Sequence, residues 1–118
     1  MISLTVITLI LILHFVADFL MQTDWMAQNK SKSNKALGSH ILMYTSVLLL
    51  PAVVLGPVWA VWAVVNGLIH GVIDYVTSKW SSSLWKQERV HDFFAVIGLD
   101  QTLHAIILFA TYTFIIVG

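Results

Sequence analysis

Apolar residues fill four blocks of this 118-residue chain, and each block has about the length of a membrane-crossing helix. The blocks cover residues 2–22, 36–54, 58–77 and 93–117. About 20 apolar residues cross roughly 30 Å of hydrocarbon as an α-helix. Backbone polar groups inside a bilayer must bond within their own segment, so each block is expected to be helical. The sequence therefore predicts an all-α integral membrane protein, with residues 1–118 forming a single transmembrane domain and a four-helix bundle.

The composition agrees with this class and excludes several others. Hydrophobic residues make up 58% of the chain and charged residues 10%, with a mean hydropathy of +0.86. Soluble globular domains carry about 25% charged residues. Six basic residues balance six acidic ones, and the cysteine count is 0. A disordered segment, a disulfide scaffold and a basic nucleic-acid-binding protein are therefore excluded, and no nucleic-acid partner is expected.

Basic residues indicate the orientation of the predicted helices. All six lie in two polar connections, residues 23–35 and 78–92, which fall on the same side of the membrane if the helices alternate in direction. The excess of Lys and Arg makes that side cytoplasmic, so both termini face outward. Residues 55–57 form a tight turn on the opposite side, and Pro51 is expected to bend the second helix. The N-terminus has no basic region of the signal-peptide type, which predicts an uncleaved first span.

Three of the predicted helices each carry a His and an Asp four residues apart, a spacing that puts both side chains on one helix face. The pairs are His14 with Asp18, His70 with Asp74, and Asp100 with His104. The order is reversed in the fourth helix, which runs opposite to the first and third. We therefore expect three imidazoles at one depth and three carboxylates about 6 Å nearer the cytoplasm. His40, near the start of the second helix, is expected to reach the carboxylate layer.

Buried acidic and imidazole groups at this density predict a metal site. Three converging carboxylates would repel one another or take up protons, and divalent cations remove that repulsion. The ligand types favour one or two transition-metal ions, with zinc first and manganese or iron as alternatives. The predicted metal ligands are His14, Asp18, His40, His70, Asp74, Asp100 and His104. The side chains predicted to orient these ligands are Gln22, Tyr44, Asn66 and Gln101.

A short internal repeat suggests how the ligands converge. Residues 13–19 and 69–75 share an apolar residue before the His and an aromatic residue after the Asp. Each segment leads through a polar connection to a helix with another His near its start. This pattern predicts two parallel, pseudo-repeated helical hairpins related by an axis along the membrane normal, each supplying half of the site.

The combined pattern also resembles a known family. The runs His14-x3-Asp18-Phe19-x2-Gln22, His70-x3-Asp74 and Asp100-Gln101-x2-His104, with His40 between the first two, resemble an uncharacterised domain-of-unknown-function family of small bacterial and phage integral membrane proteins. This resemblance implies a multi-pass protein of the bacterial inner (cytoplasmic) membrane. The His-x3-Asp motif is more loosely similar to LexA-regulated inner-membrane metal-dependent hydrolases, and that similarity implies metal-assisted hydrolysis.

Three functions remain open at this point. The first is a membrane-embedded hydrolase that uses divalent metal ions to cleave an ester or phosphoester of an amphiphilic substrate at the cytoplasmic leaflet. Its general base is expected to be Asp18 or Asp100. The partner is then a membrane lipid or an amphiphilic small molecule, and a homo-oligomer is left open. The second is a cation or proton transporter that uses the same residues. The third is a structural membrane protein stabilised by metal.

Overall fold

The computed structural model describes residues 2–118, so residue 1 of the predicted domain lies outside the described range. Every element of secondary structure within that range is helical, and the expectation of an all-α chain is confirmed. In chain order the helices are α1 (Leu4–Phe15), α2 (Asp24–Asn29), α3 (Asn34–Leu48), α4 (Leu50–Leu55), α5 (Val58–Lys86) and α6 (Val90–Thr111).

Helices α1 and α6 both end in a widened, π-helical turn. Helix α1 continues in this form over Val16–Leu20, and α6 continues over Tyr112–Val117. In the first of these turns the Met21 N–H donates to the Val16 carbonyl at 3.0 Å, and Asp18 lies in the middle of the turn. Isolated π-helical turns of this kind are frequent at functional sites. The widened turn therefore sets the direction in which Asp18 leaves the helix.

The second apolar block is interrupted where proline enters it. Helix α3 ends at Leu48 and α4 begins at Leu50, with Pro51 in its first turn. Proline is tolerated there because the first N–H groups of a helix have no partner inside the helix. Gly56 then adopts a φ of 114° and, with Pro57, turns the chain into α5.

Helix α5 is longer than the sequence predicts. It continues to Lys86, although the connection was expected to begin at residue 78. No glycine or proline occurs between residues 72 and 97, so nothing in the covalent chain stops the helix where its composition becomes polar. The helix ends when Glu88 adopts a φ of 60°, which lets the Arg89 N–H donate to the Leu84 carbonyl at 3.0 Å. The stretch 78–86 therefore extends the face of α5 that carries His70 and Asp74.

Two glycines let α3 and α5 approach closely. A Cβ at Gly71 would lie 2.5 Å from Ile41 Cδ1, and a Cβ at Gly67 would collide with the hydroxyl of Thr45 and lie 3.1 Å from its Cβ. A small residue at every fourth position is a common way for apolar helices to pack backbone against backbone. This contact brings the next turns of the two helices, and their histidines, together.

Three helical segments are long and apolar enough to cross a membrane: Asn34–Leu55, Val58–Lys86 and Val90–Val117. The apolar segment Leu4–Leu20, which covers α1 and its π-helical turn, is shorter. Many large apolar side chains face outward, among them Val53, Leu42 and Phe114. Apolar side chains on the outside of the bundle, with polar ones buried inside it, are compatible with a membrane protein.

Candidate metal centre

Four buried side chains from three segments meet at one point: Asp18 of the π-helical turn, His40 of α3, and His70 and Asp74 of α5. The Nε2 atoms of His40 and His70 lie 2.9 Å apart. His40 Nε2 is 3.0 Å from Asp18 Oδ1 and 3.4 Å from Asp74 Oδ2. His70 Nε2 is 3.6 Å and 3.2 Å from the same two oxygens. We call these four residues the His40–His70 group.

The spacing within the His40–His70 group suits a tetrahedral ion. Nitrogen and oxygen ligands lie about 2.0–2.2 Å from zinc, which separates neighbouring ligand atoms by about 3.3–3.6 Å. The five His–His and His–Asp distances in the group run from 2.9 to 3.6 Å. Two neutral imidazoles and two carboxylates are also a ligand set that transition metals accept. The group could therefore hold a metal ion with little rearrangement.

A second set of potential ligands shares a residue with the first. Asp18, Asp100 and His104 each offer a ligand atom, and these atoms lie within 4.8 Å of one another. His104 Nδ1 is 3.3 Å from Asp100 Oδ2, and His104 Nε2 is 3.7 Å from Asp74 Oδ1. Asp18 therefore belongs to both sets and could be a ligand in either one.

Aromatic rings pack against His70 in the His40–His70 group. Nδ1 of each histidine in the group is buried without a hydrogen-bond partner among residues 2–118. The Tyr44 ring stacks on the His70 ring, with centroids 3.8 Å apart and planes 13° apart. The centroid of the His104 ring lies 4.2 Å from that of His70. These contacts restrict the plane of the His70 ring, whose Nε2 lies 3.2 Å from Asp74 Oδ2.

His14 lies beside the centre but belongs to neither set of ligands. Its Nδ1 is 3.1 Å from the Tyr44 hydroxyl and its Nε2 is 3.1 Å from Gln101 Oε1. One neutral tautomer satisfies both contacts, with Tyr44 donating to Nδ1 and Nε2–H donating to Gln101. His14 Nε2 is also 3.6 Å from Asp18 Oδ2. The structure thus places His14 in contact with side chains that orient the ligands, while the other six predicted ligands form the two sets.

Among the predicted orienting residues, Gln101 makes the most direct contacts. Its Nε2 donates to Asp18 Oδ2 at 3.2 Å and to Asp100 Oδ2 at 3.0 Å. Asn66 lies one turn before His70 on α5, and its Nδ2 donates to the Trp62 carbonyl and the Thr111 hydroxyl. Gln22 Oε1 is buried and has no hydrogen-bond partner within residues 2–118.

Two functional contacts were not foreseen from the sequence. Lys30 donates to Asp74 Oδ2 at 3.1 Å, and its side chain is only 20% exposed. From the sequence, Lys30 indicates only which side of the membrane its polar connection occupies. Thr77 donates to Asp100 Oδ1 at 2.5 Å. The sequence feature that could have indicated a role for Thr77 is its position one helical turn after Asp74, on the same face of α5 as Asn66 and His70.

A cavity of about 720 Å³ opens beside the two sets of ligands. Asp74 and Asp100 form part of its lining, next to a row of hydroxyl groups from the polar end of α5. Lysines from both polar connections and aromatic residues of α5 and α6 complete the wall. The centre is therefore accessible from the end of the bundle that the polar connections form.

The opposite end of the bundle is closed by a packed apolar layer. Ile10, Leu48, Trp62 and Leu108 are each 3% exposed or less and pack together on the side away from the cavity. The potential ligands therefore lie between the cavity and this apolar layer.

Comparison with known proteins identifies a family and nothing more specific. A family model described as "Protein of unknown function (DUF3307)" matches residues 6–118, which include every residue of the two ligand sets. No curated protein and no solved structure matches the chain.

Proposed function

The chain belongs to this family of proteins of unknown function, and from its site we propose that it is a membrane-embedded hydrolase dependent on divalent metal ions. Its substrate is an ester or phosphoester of an amphiphilic molecule. The observation that carries the proposal is the pair of ligand sets sharing Asp18, with Asp74 and Asp100 in the wall of the cavity. Two adjoining sites with a shared carboxylate are the usual arrangement of two-metal hydrolases.

The proposed setting is the bacterial inner membrane. The segment Leu4–Leu20 and the three longer apolar segments cross it as two parallel hairpins, with both termini outside. A 17-residue helix spans about 26 Å, which a locally thinned bilayer accommodates. The cavity then opens at the depth of the cytoplasmic headgroups, where ester and phosphoester bonds of lipids lie. Zinc is the first choice of metal, with manganese or iron as alternatives.

A divalent ion held by these residues would polarise an oxygen of the substrate and lower the pKa of a water molecule toward neutrality. Asp100 acts here as the base and not as a ligand: it takes the proton from the attacking water, since it lines the cavity and Thr77 and Gln101 orient its two oxygens. The water oxygen bonds to the phosphorus or acyl carbon. The leaving oxygen departs with the proton that Asp100 has accepted. Asp18 is then a ligand and not the base, since it belongs to both ligand sets.

The closed apolar layer favours hydrolysis over transport. A path for cations or protons needs polar groups or water along its whole length. Above the histidines the bundle instead packs Ile10, Leu48 and Leu108 against the ring of Trp62. Substrate can enter and leave through the cavity beside Asp74 and Asp100, as a hydrolase requires.

The test is hydrolysis by the purified full chain in nanodiscs, with panels of phosphate esters and carboxylic esters of lipids. We expect release of product that stops on chelation and returns with zinc or manganese. Asp74→Asn should abolish it, whereas Asp24→Asn, an exposed acidic residue at the start of α2, should leave it unchanged. Metal-dependent cation flux in proteoliposomes without hydrolysis of either panel would overturn the proposal.

A further inference from the structure

The wall of the cavity contains a buried hydroxyl group that makes no hydrogen bond within residues 2–118. Ser78 is 8% exposed, lines the cavity, and its Oγ has no hydrogen-bond partner within residues 2–118. A buried polar group without a partner is costly, so such groups in native proteins commonly await water or a ligand. Ser81 and Ser82 line the cavity on the next turn of the same helix. Because Ser81 Oγ donates to the Ser78 carbonyl at 3.2 Å, Ser78 is the buried hydroxyl here that can donate to an acceptor bound in the cavity.

Cations surround the same hydroxyl groups. Lys30 and Lys32 reach the cavity from the connection between α2 and α3, and Lys86 reaches it from the end of α5. Lys79 holds the connection in place, since its Nζ donates to the Ser31 carbonyl at 3.0 Å. The described ion pairs engage Lys30 but neither Lys32 nor Lys86. Two lysines are thus free to meet an anion, and a third is shared with Asp74.

The remaining wall is apolar and continuous with the outer surface of the bundle. Trp85 and Phe94 line the cavity and are 56% and 61% exposed. Ile97 adds a third partly exposed apolar side chain one turn along α6. The polar end of a molecule bound here would contact lysines and hydroxyl groups. Its apolar part would extend past Trp85 and Phe94 to the outer surface of the bundle, and aromatic residues of this kind are common at membrane interfaces.

We propose that this cavity binds the terminal phosphate of a lipid phosphate monoester. Ser78 donates to one of its oxygens, and Lys32 and Lys86 balance its charge. A monoester is close to a dianion near neutral pH, which matches two free lysines. A phosphodiester with a quaternary ammonium headgroup would place another cation among them.

The inference rests on the proposed function in one respect, which is that the bound phosphorus lies beside Asp74 and Asp100, where water can attack it. Water oxygen then bonds to phosphorus, the bond from phosphorus to the lipid oxygen breaks, and that oxygen takes the proton. The products are inorganic phosphate and the lipid alcohol.

The experiment measures binding and not turnover, with the full chain in detergent and short-chain lipids as probes. Native mass spectrometry, supported by Trp fluorescence, compares phosphatidic acid with phosphatidylcholine and diacylglycerol of the same acyl chains, and with inorganic phosphate. We expect phosphatidic acid to bind at least tenfold more tightly than each of the others. Ser78→Ala should weaken its binding about tenfold, as expected for a lost hydrogen bond to a charged group. Lys86→Met should weaken it about fivefold.

Matched controls exist on the same chain. Ser83→Ala removes the outward-facing serine of the same run, and Lys35→Met removes an exposed lysine that does not line the cavity. Neither should change the affinity. Because Lys86 is exposed, its variant should fold even if the Ser78 variant does not.

The outcomes separate this inference from the proposed function. Equal binding of phosphatidic acid and phosphatidylcholine, or no change with Lys86→Met, would overturn the phosphate site. Inorganic phosphate binding as tightly as phosphatidic acid would overturn the lipid as ligand. Selective binding by a chain that holds no metal and hydrolyses nothing would support the phosphate site while the hydrolase proposal failed.

Discussion

His40 and His70 lie on different helices, yet their Nε2 atoms are 2.9 Å apart and both face the carboxylates of Asp18 and Asp74. Two neutral imidazoles at this distance share one hydrogen at most, and a cation between them would satisfy both lone pairs. The close approach of α3 and α5 at Gly67 and Gly71 makes this geometry possible. The helix packing and the candidate metal centre are therefore parts of one arrangement.

Gly67→Ala should weaken both stability and metal binding. The added methyl group would meet the Thr45 side chain, whose Cβ is fixed in position by the α3 backbone and cannot rotate away, so α3 and α5 must separate. Overpacking of this kind costs about 1–3 kcal/mol. Thermal unfolding and metal titration would measure the two effects. Gly98→Ala is the control, since a Cβ there would meet nothing within 4 Å. Unchanged metal affinity in Gly67→Ala would show that helix separation does not control the site.

Lys30→Met should tighten metal binding and destabilise the metal-free protein. The ammonium lies 3.1 Å from Asp74 Oδ2, an oxygen of the His40–His70 group, so it competes with a bound cation for that oxygen. We expect affinity for zinc to rise about tenfold, which is about 1.4 kcal/mol. Competition titration with a zinc chelator measures the change, with Lys35→Met as the control. A weaker affinity in Lys30→Met would mean that the lysine supports the loaded site and does not compete with it.

Thr77→Val should slow hydrolysis without emptying the metal centre. The Thr77 hydroxyl holds Asp100 Oδ1, and the nearly isosteric valine removes that hydrogen bond while keeping the packing. Loss of a group that orients a functional carboxylate typically costs 10- to 100-fold, which we expect in kcat with little change in KM. Thr77→Ser should restore the rate. Thr102→Val, at an exposed hydroxyl bonded to the Gly98 carbonyl, is the control. A fall in metal content equal to the fall in kcat would contradict a positioning role.

Helical periodicity explains what the sequence could predict of the site. A His and an Asp four residues apart must share a face once their segment is helical, and the three pairs are found 3.6, 3.2 and 3.3 Å apart. The expectation that His40 reaches the carboxylate depth also agrees with its 3.0 Å contact to Asp18. Both inferences needed only the direction of each helix and its rise per residue.

The remaining features depend on contacts that local sequence does not encode. Lys30 reaches Asp74 because of how α2 and its following turn fold back over the bundle. His14 is occupied by Tyr44 and Gln101, side chains 30 and 87 residues away in sequence. The extension of α5 to Lys86 could have been anticipated from the absence of helix-breaking residues, but its polar composition suggested a loop. Periodicity predicts the face a residue occupies, and tertiary packing decides its partner.

The most direct test of the account is the transition-metal content of the full chain, purified without chelators and measured by inductively coupled plasma mass spectrometry. We predict at least one equivalent, with zinc foremost, falling below about half an equivalent in His70→Ala and unchanged in His91→Ala, an exposed histidine at the start of α6. Less than about half an equivalent in the unaltered protein, unaffected by His70→Ala, would contradict a metal centre at His40, His70, Asp18 and Asp74.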